Sequence, residues 1–492
     1  MATIYALSTP AGKSAVAVVR LSGPFSRPVL RKLIRSELPE PRVASLRKLY
    51  WPGVGAGDRR MIDHALTLVN VGPSSFTGED TVEFHTHGSR AVLGSLLGAI
   101  EAAGVLCAAE AGTLHPVRYA EAGEFTRRAF LNGKMDLTQA EALGEVLDAE
   151  TEVQLQASVG AAADGRTARM YNDWRQRIVD VSATLAAVID FSEDGDFDES
   201  SGSLMEMALN DTRGLREEIG RHLSRLRRSE IVLGGIRTVL LGPPNAGKSS
   251  LLNALASRDA AIVSAVPGTT RDFLEVGLDI AGYRVVLTDT AGLRRDMGSS
   301  AHDELERIGV ERARLKGAEA DLVVVVVPAD AANLAAVRAE LDALAGAKPS
   351  QQVVVALNKI DMVAPDALDA VVAATAGQLG VAPTAVFPIS CLRFEGIDTL
   401  TEGLAATFRA FSVDDHGAFD PISASARVQG LLEHEVLAAL ARAETEGRRS
   451  GDVVVVSEEL RAAADGIGRI TGDAVGVEEM LGVVFSRFCV GK

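Results

Sequence analysis

The octapeptide Gly242-Pro-Pro-Asn-Ala-Gly-Lys-Ser249 constrains this chain more than any other segment. Its spacing suits a loop whose backbone N–H groups curl around a β-phosphate. Lys248 would reach the β- and γ-oxygens, and the Ser249 hydroxyl would ligate Mg²⁺. Such a loop works between a strand and a helix, because the helix N-terminus adds its own field for an anion. Both flanks comply: Arg237-Thr-Val-Leu-Leu241 reads as a buried strand and Ser250-Leu-Leu-Asn-Ala-Leu255 as a helix.

A chain of 492 residues should hold about three domains. A hydrophobic fraction of 47% with 24% charged residues fits a globular protein. The net charge of −16 excludes a global basic field for nucleic acid, so any RNA contact must come from a local patch. Cys107, Cys391 and Cys489 are widely spaced and lack metal-ligand spacing, which points to a reducing compartment. Met1 to Leu7 is too short an apolar run for a secretory leader, and no uninterrupted apolar stretch is long enough to span a bilayer. The expected location is cytoplasmic.

Residues 1–132 mix short β-type runs, such as Ala15–Arg20 and His64–Val69, with a helix over Ala91–Ala103. Residues 133–233 are helical, with Leu137, Ala140, Leu143, Val146 and Leu147 at helical spacing and Trp174, Ile178, Val181, Leu185 and Val188 continuing the pattern. The acidic run Glu193–Glu199 reads as a solvated loop that breaks these helices. Residues 234–412 alternate strands and helices. Val285–Thr288, Leu322–Val327 and Val353–Leu357 are continuous apolar runs, which suit parallel strands covered on both faces. Residues 413–492 turn helical again through Val428, Leu431, Leu432, Val436 and Leu440.

Further nucleotide elements follow in the order a GTPase needs. Asp289-Thr290-Ala291-Gly292 ends a strand, with Asp289 placed to hold Mg²⁺ through water and the Gly292 N–H to meet the γ-phosphate. Asn358-Lys359-Ile360-Asp361 ends another, and Asp361 can accept from the N1–H and amine of guanine. Adenine lacks that donor pair and would leave the carboxylate unpaired, a discrimination on the order of 10⁴-fold. Ser390-Cys391-Leu392 occupies the last base-contacting loop, without the usual lysine stem. One threonine of Thr269-Thr270-Arg271-Asp272 should complete the Mg²⁺ shell. Leu293 stands where many regulatory GTPases orient water with a glutamine. Glu306 is a candidate to replace it. The oxygen of Asn245 is placed to hold a monovalent cation against the phosphates, which would supply positive charge at a fixed point.

By these residues the chain resembles the MnmE (TrmE) family of tRNA modification GTPases. The likeness rests on Leu241–Asn253, Pro267–Asp272 and Glu306–Gly309, and outside the GTPase segment on Ser75–Asp80, Gly123–Lys134 and Phe488–Lys492. The resemblance implies an α/β P-loop GTPase domain inserted in an all-α helical domain, preceded by an α+β folate-binding and dimerising domain. It implies contacts to GTP from Asn245, Ala246, Gly247, Lys248, Ser249 and Ser250. Ser264, Ala265, Val266, Pro267, Gly268, Thr269 and Thr270 would join them. It also implies potassium ligands at Asn245, Ser264, Val266 (through its carbonyl) and Thr269. Mg²⁺ would sit on Ser249 and Thr270, with Lys248 and Glu306 as catalytic groups. A tetrahydrofolate derivative of 5-formyl or methylene type would meet Arg20, Glu83, Lys134 and Lys492. The family works as a homodimer with the flavin-dependent protein MnmG, on C5 of the wobble uridine of certain tRNAs. Cys489 matches a family cysteine near the folate end, though a lone cysteine is more often a small core residue.

The chain departs from the family pattern in the glycine-poor segment Pro10–Ser14 and in a longer stretch, Asp296–Ala301, before Glu306. His85-Thr86-His87 reads as structural, with no cysteine near to make a metal set. A ribosome-assembly GTPase would share the nucleotide motifs but would need a basic RNA-binding face. Arg221, Arg225, Arg227 and Arg228 cluster on one helix, which reads first as a solvated face. A folate-dependent transferase with a vestigial GTPase is disfavoured by intact Lys248, Ser249, Asp289 and Asp361.

Overall fold

A computed structural model describes residues 2–53, 60–112, 117–192, 198–258, 261–262, 276–287, 319–331, 333–344, 351–412, 425–473, 478–486 and 488–491. The chain forms two compact units. One comprises Met1–Gly144, Ala162–Val179 and Ala464–Lys492, the other Glu145–Ala161 and Asp180–Ala463.

The first unit is built on a six-stranded sheet: β1 (Thr3–Leu7), β2 (Ser14–Ser22), β3 (Ser45–Tyr50), β4 (Met61–Asn70), β5 (Thr81–Gly88) and β6 (Val117–Tyr119), in the order β3-β4-β5-β2-β1-β6. All neighbours are antiparallel except β1 with β6. Side chains alternate across the pleat. Val19, Leu21, Val82 and Phe84 enter one core with helices α1 (Ser26–Leu33) and α2 (Arg90–Ala111). Arg20 and Glu83, facing each other in register on β2 and β5, are left for the opposite face. Ser89 caps α2, its side chain accepting from the Val92 N–H. By length and composition α2 is apolar enough to cross a membrane. Its Leu93, Leu96, Ile100, Ala103 and Cys107 stripe packs into the sheet core.

Helices α3 (Glu124–Leu131) and α4 (Leu137–Asp148) follow, then α5 (Glu152–Asp164), α6 (Arg166–Ser192) and α7 (Asp198–Gly234). Trp174, Ile178 and Leu185 are buried at the spacing expected of α6. Most of the acidic run Glu193–Glu199 lies outside the described residues; its last two residues open α7.

The second unit carries a seven-stranded sheet of β7 (Ile236–Leu241), β8 (Ala261–Ile262), β9 (Val276–Ile280), β10 (Tyr283–Leu287), β11 (Leu322–Pro328), β12 (Gln352–Asn358) and β13 (Val386–Pro388). The order is β13-β12-β11-β7-β10-β9-β8, parallel from β13 through β10 and antiparallel at the β9 and β8 edge. The central strand β11 is buried on both faces, which explains its unbroken valine run. Val324 and Val326 join one core with α8 (Lys248–Arg258), and Val323, Val325 and Val327 join the other with α9 (Ala335–Leu344) and α10 (Leu368–Leu379). Helix α11 (Ile397–Ser412) packs Leu400, Leu404 and Phe408 beside α8. Beyond it run α12 (Ala426–Leu431), a π-helical turn over Leu432–Leu437, α13 (Ala438–Arg449), α14 (Val453–Thr471) and α15 (Glu478–Ser486).

Candidate functional site

The phosphate loop leaves β7 and enters α8, so Lys248, Ser249 and Ser250 form the first turn of that helix. The spacing of its glycines has a steric cause. A Cβ on Gly242 would lie 1.9 Å from the Val326 carbonyl oxygen, and one on Gly247 would lie 2.1 Å from Asn358 Nδ2. Both also hold positive φ, where only glycine is unstrained. Asn245 adopts a left-handed backbone, with φ of 61°. Lys248 Nζ donates to the carbonyls of Gly242 at 2.6 Å and Pro243 at 3.0 Å. Burial pulls its pKa below the ordinary lysine value, partly offset by Glu340.

The base-reading residues are joined to that loop. Asn358 is buried at the end of β12. Its Nδ2 donates to the Ala246 carbonyl at 2.9 Å, and its Oδ1 accepts from the Cys391 N–H at 3.1 Å. Ser390 Oγ donates to Asp361 Oδ1 at 2.6 Å. That bond, against the opposing effect of burial and with help from a backbone hydrogen bond and the charges of Arg393 and Lys359, holds the Asp361 carboxyl below its usual range. Asp361 is therefore an ionised acceptor at neutral pH. Lys359 has φ of 67°, which turns the chain into the short 3₁₀ segment Ile360–Met362. Leu392 is 81% exposed at the loop tip, in place of a lysine stem, with Arg393 beside it. Burial pushes the Cys391 thiol up to about 11.

Ser264, Ala265, Val266, Pro267, Gly268, Thr269, Thr270, Asp289, Thr290, Ala291, Gly292, Leu293, Glu306 and Lys492 lie outside the described residues. Of the residues expected around the nucleotide, the structure brings together Asn245 to Ser250, Asn358, Lys359, Asp361 and Ser390 to Leu392, all at the C-terminal ends of parallel strands. That edge is where an open α/β sheet binds ligands.

A second polar cluster lies on the N-terminal sheet. Arg20 Nε pairs with Glu83 Oε1 at 2.8 Å, and His85 Nε2 is 3.4 Å from Glu83 Oε2. The Arg20 guanidinium stands 5.6 Å from the Phe76 ring centre and 5.9 Å from that of Phe125. Lys134 Nζ donates to the Pro73 carbonyl at 3.0 Å, on the same loop as Phe76. His87 Nδ1 and Asp63 Oδ1 are 2.8 Å apart, so the two histidines engage different carboxylates. No group of three His, Cys, Asp or Glu side chains converges as a metal site among the described residues.

Sequence reasoning missed what joins Ser75–Asp80 to Gly123–Lys134. Arg128, nearly buried, donates to Glu79 Oε1 at 3.1 Å and Oε2 at 3.0 Å, and to Glu124 Oε1 at 2.9 Å. Arg118 closes on Glu124 at 2.6 and 2.8 Å. Burial opposes ionisation of Glu124, but the bonds from Arg118, the Glu121 N–H and Arg128 outweigh it and lower its pKa. Ser22 Oγ reaches Glu79 at 2.6 Å, and Asn132 Nδ2 donates to the Thr77 carbonyl at 2.7 Å. The one signal in sequence was an acid in one motif and arginines in the other. Cys489 is exposed rather than a core residue; Cys107 is the buried cysteine.

Two family profiles match. One, described as the MnmE helical domain, covers residues 137–489; the other, the N-terminus of the GTP-binding protein TrmE, covers residues 3–134. The chain belongs to the MnmE family of tRNA modification GTPases. It is 41% identical to the tRNA modification GTPase MnmE of Parvibaculum lavamentivorans over 100% of both chains. It is 36% identical to the mitochondrial tRNA modification GTPase MSS1 of Saccharomyces cerevisiae, over 100% of this chain and 93% of that one. Identity is 39% to the human mitochondrial 5-taurinomethyluridine-[tRNA] synthase subunit GTPB3, again over 100% of this chain and 93% of that one. In MnmE terms the fold is a P-loop GTPase domain set within a helical domain that follows an α+β N-terminal domain.

Proposed function

We propose that this GTPase hydrolyses GTP with potassium as an activating ion and, with the flavin-dependent protein MnmG, drives modification of C5 of the wobble uridine in certain tRNAs. The observation that carries this reading is the bonded continuity of phosphate loop and base-reading residues through Asn358, in a chain alike to tRNA modification GTPases along its whole length. Ser249, in the first turn of α8, and Thr270 would hold Mg²⁺. Asn245, Ser264, Val266 and Thr269 would hold K⁺. The left-handed turn at Asn245 fits a residue serving the phosphate edge. A bound potassium ion would supply fixed positive charge to the developing transition state. Lys248 would exchange its loop carbonyls for phosphate oxygens, and Glu306 would orient the attacking water.

The N-terminal cluster fits a reduced folate as one-carbon donor. Glu83 and Arg20 present an acceptor and a donor beside the Phe76 ring, a set suited to a polar flat heterocycle. Lys134 and Lys492 would meet an acidic tail. The proposed organisation is a homodimer, cytoplasmic, with domain limits at 1–132, 133–233, 234–412 and 413–492.

The test is steady-state GTP turnover across a potassium series, with sodium as control and with and without folate. Turnover should be at least about tenfold faster in potassium, the effect of removing about 1.4 kcal/mol from the barrier. Equal rates in the two salts would remove the cation from the mechanism.

A further inference from the structure

Glu444 on α13 is 6% exposed, and three guanidiniums converge on it. Arg216 on α7 approaches with Nε at 2.7 Å and Nη2 at 3.5 Å, Arg448 with Nη2 at 3.7 Å, and Arg213 with Nε at 4.0 Å. Three guanidiniums thus share one buried carboxylate, with Asp211 and Glu217 on α7 and Glu446 on α13 among the acids within a turn of them. The arginine side chains are between 40% and 54% exposed. Neighbouring arginines on these helices are matched one to one: Arg227 with Glu433, Arg442 with Glu459 and Arg449 with Glu446. The stretch Arg221–Arg228 is thus partly neutralised, and the arginines that share a single carboxylate lie nearer the middle of α7.

We propose that Arg213, Arg216 and Arg448, gathered by Glu444, form a contact for the sugar–phosphate backbone of the tRNA substrate. A chain of net charge −16 repels a polyanion at long range, so it needs a local surplus to hold RNA. Guanidinium forks match phosphate oxygens, and each uses few of its donors on Glu444. The buried carboxylate hydrogen-bonds Arg216 and draws Arg448 and Arg213 to within 3.7 and 4.0 Å by charge, which lowers the ordering cost on binding. Close packing of α13 on α7 sets the geometry: a Cβ on Gly447 would lie 2.5 Å from Leu209 Cδ2, so the helices meet where Glu444 faces Arg216. The contact is to backbone, so it positions the RNA without reading sequence. The inference rests on tRNA being the substrate.

The experiment compares the full chain with R213Q/R448Q and R213K/R448K, leaving Arg216 to keep Glu444 paired. Binding of unmodified tRNA transcript is measured by anisotropy across a salt series. The glutamine variant should bind about tenfold more weakly at low salt, with a log–log salt slope smaller by roughly 1.5–2. The lysine variant should recover most of the affinity, because it restores charge. Melting temperatures should stay within about 2 °C of each other, as befits half-exposed positions. Equal affinity and slope in the glutamine variant would overturn this contact alone. Absence of tRNA binding by the unaltered chain would overturn the contact and the tRNA reading together. Displacement of tRNA by poly-glutamate at equal charge would reassign the patch to an acidic protein partner.

Discussion

Asn358 carries more of the nucleotide site than its place in a base-reading motif suggests. Its amide ties the phosphate loop at Ala246 to the base loop at Cys391, residues 112 and 33 positions away along the chain. Asn358→Ala would leave a buried carbonyl and a buried N–H unpartnered, at about 1–3 kcal/mol. Both loops serve diphosphate and triphosphate alike. Affinity for GDP and GTP should therefore fall together by about ten- to a hundredfold, measured by titration with a fluorescent guanine nucleotide. Loss of GTP binding alone would mean the coupling acts on the γ-phosphate instead. The sequence made Lys248 and Asp361 legible because each belongs to a short motif. The bond between the motifs was not legible, because it depends on how β7 and β12 flank β11.

At the scale of elements, the Val-rich strands β11 and β12 and helix α8 follow from continuous apolar runs and from the phosphate-loop spacing. Strand β3, with one of its six residues buried, had no such signal, and the π-helical turn at Leu432–Leu437 keeps its apolar spacing while changing its hydrogen-bond register. Helix α3 is held to the Ser75–Asp80 loop by Arg128, whose carboxylate partners Glu79 and Glu124 are themselves little exposed. Arg128→Ala would strip Glu79 of its arginine while Glu124 keeps Arg118, costing about 3–5 kcal/mol. Urea denaturation of the first unit should report that loss, and the GTPase unit should keep its midpoint. Helix α7 carries a different burden in His222. Burial, followed by the positive charge of Arg225, lowers its pKa to about 4, with Glu218 acting the other way. Between pH 6.5 and 4 the unfolded chain therefore takes up a proton that the folded chain refuses. Stability is full above pH 6.5 and falls as the pH drops. From pH 7 to 5 the loss attributable to His222 is about 2 kcal/mol. His222→Gln should remove that part of the pH dependence in paired urea titrations; an unchanged slope would assign it to other groups.

Over the whole molecule, the two ends of the chain meet in one unit. Ser8 Oγ donates to the Gly491 carbonyl at 3.1 Å, Val490 bridges Ala122, and Phe488 packs with Phe485, Val484 and Leu137. The segment between them includes the entire seven-stranded sheet, so the contacts that close the first unit join residues separated by nearly the whole chain. Composition and periodicity give no hint of this closure, because four residues are too few for a pattern. The physical consequence is a separable effect of shortening the chain. Removing residues 488–492 exposes the surface that Phe488 covers and opens the bridge to Ala122, a loss of roughly 2 kcal/mol for one buried aromatic side chain. In a unit of this size such a loss lowers the melting temperature by about 4–8 °C. The second unit contains none of the affected contacts, so its transition, followed by nucleotide-dependent protection from heat, should remain in place. A single cooperative transition that shifts as a whole would instead show that the two units unfold together, and that the chain's ends stabilise the nucleotide site as well.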